Sequence, residues 1–242
     1  LIHDDVVDGS TSRRGKESVH RKWDNAHGVL VGDFVYSKAF QLMASLKNSQ
    51  IIKILANSTN IISEGEILQL SLKSKELISE DDYFEIIGRK TAELFKASSK
   101  SAAVLSEASL EEVESAGDFA YSLGIAFQIQ DDLLDYFGNE KATGKRIGKD
   151  FQEGKITLPL LRTIQLASKE NKGTILKLMQ TKNSSDLPQV IEIIKSTGAL
   201  NGVEKTYDSY IDNCLTKLSL FPDSIYKTQL MSIVRDVKVR ES

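Results

Sequence analysis

Cysteine and proline are scarce in this chain of 242 residues. The single cysteine, Cys214, excludes an internal disulfide and fits a reducing, cytoplasmic setting. Three prolines (Pro159, Pro188 and Pro222) leave long stretches free to stay helical. No apolar run approaches the roughly 20 residues that a membrane span needs. The best, around Gly28–Tyr36, is broken by Asp33. Surplus positive charge is also missing: the formal net charge is −3, so nucleic acid has no electrostatic case as a partner. No convincing Ser-His or Cys-His pair is present. His20 and His27 lack metal-ligand partners at helical spacing, and His3, just before Asp4, is given no role.

What remains is helix. Apolar residues recur at three and four from Val29 to Leu46 and again from Ile51 to Leu72, with hardly a strand candidate in the chain. Ser79 before Glu80, Asp81 and Asp82 makes an acidic first turn suited to the helix dipole. Ser109 followed by Glu112 fits a capping box. Pro188 and Pro222 mark helix entries or loops. Nothing resembles a domain boundary, so residues 1–242 read as one all-α domain. The chain opens at Leu1 already inside a helix, which leads us to expect residues upstream.

The chemistry sits in FQIQDDLLDYFG, Phe127–Gly138. On a helix the first and last carboxylates, Asp131 and Asp135, stand about 40° apart and reach one point. Like charges at that spacing repel unless a cation or proton intervenes. One such group is ordinarily a solvated helix face. A second copy, HDDVVD over His3–Asp8, changes the weighing. Two acidic helix faces looking across a cleft suit hard divalent cations. Magnesium takes one or two protein carboxylates, keeps several waters and completes its shell with substrate phosphate oxygens. A polyphosphate substrate gripped through metal follows.

Cationic residues accompany both groups. A loop, Gly9–Lys16, follows the first and carries Arg13 and Arg14, whose forks match phosphate oxygens. Lys90 and Thr91 pair a cation with a hydroxyl, and Gln128 lies on the helical side of Asp131. The Gly- and Lys-rich stretch Asn139–Lys155 invites comparison with a P-loop. Its glycine spacing is wrong, and Arg146 stands where Ser or Thr is required.

In order along the chain, DDVVD, RRG, GDF (Gly32–Phe34), GE…Q (Gly65, Glu66 and Gln69), KTAELF, FQIQDDLLD and GKDFQEGKITLPL resemble the trans-type polyprenyl diphosphate synthases. The resemblance loosens after about Leu161 and is strongest to the long-chain branch, octaprenyl diphosphate synthase and its relatives. It implies an all-helical bundle around a deep central cavity, working as a homodimer. It also implies isopentenyl units condensed onto an allylic diphosphate such as farnesyl diphosphate, for quinone side chains, with transient membrane contact at product release. By resemblance, Asp4 and Asp8 hold two magnesium ions and Asp131 a third. Asp5, Asp132 and Asp135 support that shell directly or through water. Arg13, Lys90, Thr91, Gln128 and Lys145 contact the allylic diphosphate, with Lys155 near the same pocket, and Arg14 reaches isopentenyl diphosphate.

Departures from the family pattern are few. A GGKRxRP-type stretch, which serves the isopentenyl site, is not found before the first acidic group. The positions four and five before Asp4, which help set product length, would precede Leu1. Asp24 stands where relatives often have a turn glycine, and is expected to tolerate left-handed backbone there. Terpene cyclases share the first motif, but their second metal site has Ser and Glu where Asp135 and Asn139 stand. Non-catalytic partner subunits lose an acidic motif, whereas both are intact. A shorter-chain synthase, making geranylgeranyl or farnesyl diphosphate, is the nearest alternative. One face of Val29–Leu46, with Ala39 at its middle, either borders the product shaft or packs ordinarily.

Overall fold

The computed structural model describes residues 1–13, 15–73, 75, 77–138 and 147–238. The chain forms two compact units, residues 1–53 and 54–242. Helices dominate both, and the only strands among the described residues are two residues long each. The all-α class expected from periodicity is what the chain adopts.

In the first unit, α1 (Ile2–Val7) and α2 (Val19–Lys22) lie on α3 (Asn25–Ser45). The stretch expected as plain loop is instead a ribbon, in which β1 (Ser12–Arg13) pairs antiparallel with β2 (Lys16–Glu17). Gly15 takes φ +75°, the left-handed backbone that a tight reversal favours. Ser18 ties the ribbon down by donating its hydroxyl to the Ser10 carbonyl at 2.6 Å. Asp24 departs from its expected role. Its backbone is extended, at φ −160°, and its carboxylate caps α3 by accepting from the His27 backbone N–H at 2.8 Å. His3 does find work: its Nε2 lies 3.0 Å from the Val29 carbonyl and 3.2 Å from Asp33, joining α1 to α3. Only Gly28 and Gly32 of α3 are buried; Leu30, Phe34 and Leu42 are exposed.

The second unit is built around α7 (Leu110–Phe137). Its capping box joins Ser109 and Glu112 as the spacing predicts, and a matching one joins Ser79 and Asp82 at the start of α5 (Glu80–Ile87). Phe119, Leu123, Ile125, Ala126 and Ile129 of α7 are buried with Tyr83 of α5 and with Val203, Tyr207 and Ile211 of α12 (Ala199–Leu218). Helix α6 (Glu93–Leu105) also packs along α7. A second apolar cluster gathers Tyr136, Phe151, Ile164, Ile175 and Ile194. It draws on α8 (Lys149–Glu153), α9 (Leu158–Leu166), α10 (Lys169–Thr181) and α11 (Leu187–Ser196). Pro159 and Pro188 sit in the first turns of α9 and α11, where a missing N–H costs nothing. Helix α4 (Ser49–Leu72) precedes α5, and α13 (Ile225–Lys238) ends the described chain. No helix among the described residues is long and apolar enough to cross a membrane.

One element escapes any reading of periodicity. Between α5 and α6 the chain makes a π-helical turn, Gly88–Ala92, and that turn carries Lys90 and Thr91. π-turns are rare and frequent at functional sites. Gly65 of α4 lets the turn come close, since a Cβ there would run into the Arg89 Cβ and the Lys90 backbone nitrogen.

Candidate active site

Each acidic motif has one aspartate turned inward. In the first, on α1, Asp5 is buried at 4% exposure while Asp4 and Asp8 are half-buried. The ribbon brings Arg13 onto it. Arg13 Nε donates at 2.9 and 3.0 Å to the two Asp5 oxygens, and Nη2 lies 2.7 Å from Oδ1. Beside that carboxylate, and with Asp4 and Asp8 near, the guanidinium is held even more firmly protonated than usual. Arg13 has further N–H groups beyond those facing Asp5.

In the second motif, near the C-terminal end of α7, Asp132 is the inward residue at 3% exposure, with Asp131 and Asp135 half-buried. Both Asp132 oxygens are engaged. Tyr83 donates its hydroxyl to Oδ2 at 2.8 Å, and Gln128 Nε2 donates to Oδ1 at 2.9 Å. Gln128 then accepts from the Thr91 hydroxyl at 3.0 Å. The Asp135 carboxylate accepts from the backbone N–H groups of Lys149 and Asp150, both at 3.0 Å, and so caps α8. Burial first, and then the charge on Asp150, pushes the Asp132 carboxyl up to about 8 and that of Asp135 up to about 7.

Lys90 projects from the π-turn to α4, where its ammonium lies 2.9 Å from both Glu66 and Gln69. Lys155, just after α8, lies 2.6 Å from Glu153 and 3.6 Å from Asp150. Arg14 and Lys145 lie outside the described residues.

The second unit thus joins Thr91, Gln128 and Asp132 in one hydrogen-bonded group, while Lys90 is held by Glu66 and Gln69, and Asp135 and Lys155 are each bound to α8. Sequence reading gave no role to Tyr83 or Asp150. Nothing local marks Tyr83, a buried aromatic on an apolar helix face; Asp150 stands in the GKDFQEGK stretch without a spacing that singles it out. Among the described residues, no three His, Cys, Asp or Glu side chains form a ready-made metal cage. The donor set nevertheless fits magnesium, since it is all oxygen. Magnesium needs only one or two carboxylates when waters and phosphate complete its shell.

Comparison with known proteins locates this arrangement. The polyprenyl synthetase family profile matches residues 1–195. Octaprenyl diphosphate synthase of Escherichia coli K12 is 36% identical over 234 residues, 96% of this chain and 72% of that protein. An all-trans-nonaprenyl-diphosphate synthase of Rhodobacter capsulatus is 39% identical over 235 residues, 97% of this chain and 72% of that one. The crystal structure of a Caulobacter crescentus CB15 polyprenyl synthase, complexed with calcium and isoprenyl diphosphate, superposes with a TM-score of 0.93 at 37% identity. That match covers 100% of this chain and 74% of the other.

Proposed function

Because the chain belongs to the polyprenyl synthetase family and is therefore a prenyltransferase, we propose that it condenses isopentenyl diphosphate onto an allylic diphosphate to build a long polyprenyl chain. We take farnesyl diphosphate as the primer and an octaprenyl chain, destined for quinone side chains, as the product. Relatives of similar identity make octaprenyl and nonaprenyl chains, so similarity alone leaves the length open. The observation that carries the proposal is the shared design of the two motifs: a buried aspartate locked into the fold, flanked by aspartates that stay accessible.

Asp4, Asp8 and Asp131 would hold magnesium on the allylic diphosphate. When bound, the metal supplies the positive charge that stabilises the diphosphate as it leaves. Asp5, Asp132 and Asp135 keep the ligands in place without having to touch metal themselves. Arg13, anchored by Asp5, turns its remaining N–H groups to phosphate oxygens. Lys90, pre-aimed by Glu66 and Gln69, adds charge where it develops on the leaving group. Arg14, Lys145 and Lys155 complete the phosphate contacts, with Arg14 serving isopentenyl diphosphate. The carbon–oxygen bond to diphosphate breaks, the double bond of isopentenyl diphosphate attacks the allylic cation so formed, and a proton leaves to the departed diphosphate. No side-chain nucleophile takes part. A cytoplasmic homodimer that touches the membrane only to release product is the form we propose, and the exposed apolar residues Leu30, Phe34 and Leu42 of α3 support the dimer.

The test is incubation with farnesyl diphosphate, labelled isopentenyl diphosphate and magnesium, followed by chromatography of the dephosphorylated products. An octaprenyl product is expected. A dominant geranylgeranyl product would move the protein to the short-chain branch, and no condensation at all would end the proposal.

A further inference from the structure

Tyr83 lies on α5, seven residues before Lys90, in a part of the chain to which sequence and family pattern give no chemistry. Its ring is 4% exposed, packed edge-on against Phe84 within the main core cluster. A phenol that deep needs a partner, and the one it has is unusual. The hydroxyl donates at 2.8 Å to Asp132, the inward aspartate of the second acidic motif. The remaining Asp132 oxygen accepts the amide N–H of Gln128 at 2.9 Å, and an amide nitrogen can only donate. That fixes which end of the Gln128 amide faces which way. Its carbonyl oxygen is left to meet Thr91, whose hydroxyl must then be the donor, at 3.0 Å. Two hydrogen bonds therefore run in one sense from Thr91 through Gln128 to Asp132, and a third, donated by Tyr83, meets them there from the far side.

The consequence falls on Thr91. With its proton committed to Gln128, the Thr91 oxygen presents lone pairs and not a hydrogen to whatever lies beside the π-turn. We propose that Tyr83 is a positioning residue for prenyl transfer: by clamping Asp132 it sets the Gln128 amide and thereby keeps the Thr91 oxygen turned, as an acceptor, toward the allylic substrate. This rests on the functional reading above and assigns a direction to one of its hydroxyls. An acceptor placed there favours positive charge growing on the allylic carbon once the carbon–oxygen bond to diphosphate starts to break. Tyr83 itself touches no substrate in this scheme.

The geometry also explains why a phenol serves where a smaller donor would not. The hydroxyl must reach Asp132 from another helix, 49 positions away in sequence, while the ring fills the core between them. Phenylalanine keeps the packing and removes only the hydrogen bond.

The experiment measures single-turnover rates of prenyl transfer for wild type, Tyr83→Phe, Thr91→Val and the double variant, with thermal melting alongside. Tyr83→Phe is expected to slow the chemical step about tenfold or more, the scale of losing a hydrogen bond to a charged group, with KM for both diphosphates within about twofold. In the Thr91→Val background the same change should cost almost nothing, because its effect travels through the Thr91 hydroxyl. A wild-type rate in Tyr83→Phe, or an equal loss in both backgrounds, overturns the assignment and leaves Tyr83 a packing residue. Gln128→Leu gives the same comparison from the middle of the relay if Tyr83→Phe does not accumulate folded. A Gln128 cost that persists beside Thr91→Val equally overturns it. A wild type that transfers no prenyl group defeats the functional reading itself, and that outcome is visible before any variant is compared.

Discussion

The guanidinium of Arg13 grips the carboxylate of Asp5, its Nε within 3.0 Å of both oxygens and its Nη2 2.7 Å from one of them. This contact joins β1 of the ribbon to α1 and fixes the inward aspartate of the first motif to the fold. Removing the arginine leaves a buried carboxylate with lost partners. Arg13→Met should therefore destabilise the protein by about 1–3 kcal/mol, the usual cost of an unsatisfied buried group. Adding Asp5→Asn should restore part of it. Urea melts of the two single variants and the double variant measure this, and simple additivity of the losses would contradict the pairing.

The second motif carries a pH signature. Burial and the charge on Asp150 raise the Asp132 carboxyl to about 8 and that of Asp135 to about 7. Between about pH 4 and those values the folded chain holds protons that the unfolded chain has given up. Stability of the metal-free protein should therefore fall as pH rises across that window. Asp135→Asn should flatten the slope. Chelator-treated protein melted at a series of pH values reports it, and stability rising from about pH 5 to about pH 8 would contradict the charge crowding inferred here.

Gly65 offers a third test. A methyl group there meets the Arg89 Cβ and the Lys90 backbone nitrogen, so Gly65→Ala must shift the π-turn away from α4. Lys90 would then lose its hold on Glu66 and Gln69. Turnover should drop at least about tenfold, as expected when a reacting group moves by about 1 Å. KM for isopentenyl diphosphate, whose proposed contact is Arg14, should change little. Steady-state kinetics with each substrate varied in turn separates the two effects; normal turnover would show that the close approach is not required.

What was legible in the sequence was local. The capping box at Ser109, the acidic helix start after Ser79 and the helix entry at Pro188 are set by residues within one turn, and all of them formed. The two acidic groups were also plain, because repetition of a costly pattern is itself a signal. Contacts across long separations were not. Tyr83 and Asp132 meet over 49 positions, and no spacing rule connects them. The π-turn hides inside a stretch that reads as ordinary helix, since one extra residue per turn barely disturbs an apolar pattern. Asp24 shows the same limit from the other side: its identity suggested left-handed backbone, whereas the helix it begins uses its carboxylate as a cap.

The most direct measurement of the central claim, that Asp4, Asp8 and Asp131 hold a metal–diphosphate pair while Asp5, Asp132 and Asp135 hold the frame, is calorimetric titration with a non-reacting allylic diphosphate analogue. Binding is expected with magnesium present and should vanish with chelator. Asp131→Asn should weaken it by orders of magnitude while the helical circular dichroism and melting temperature stay at or above those of the wild type, since the change removes a repulsion. Equally tight binding without magnesium, or wild-type affinity in Asp131→Asn, would contradict the claim.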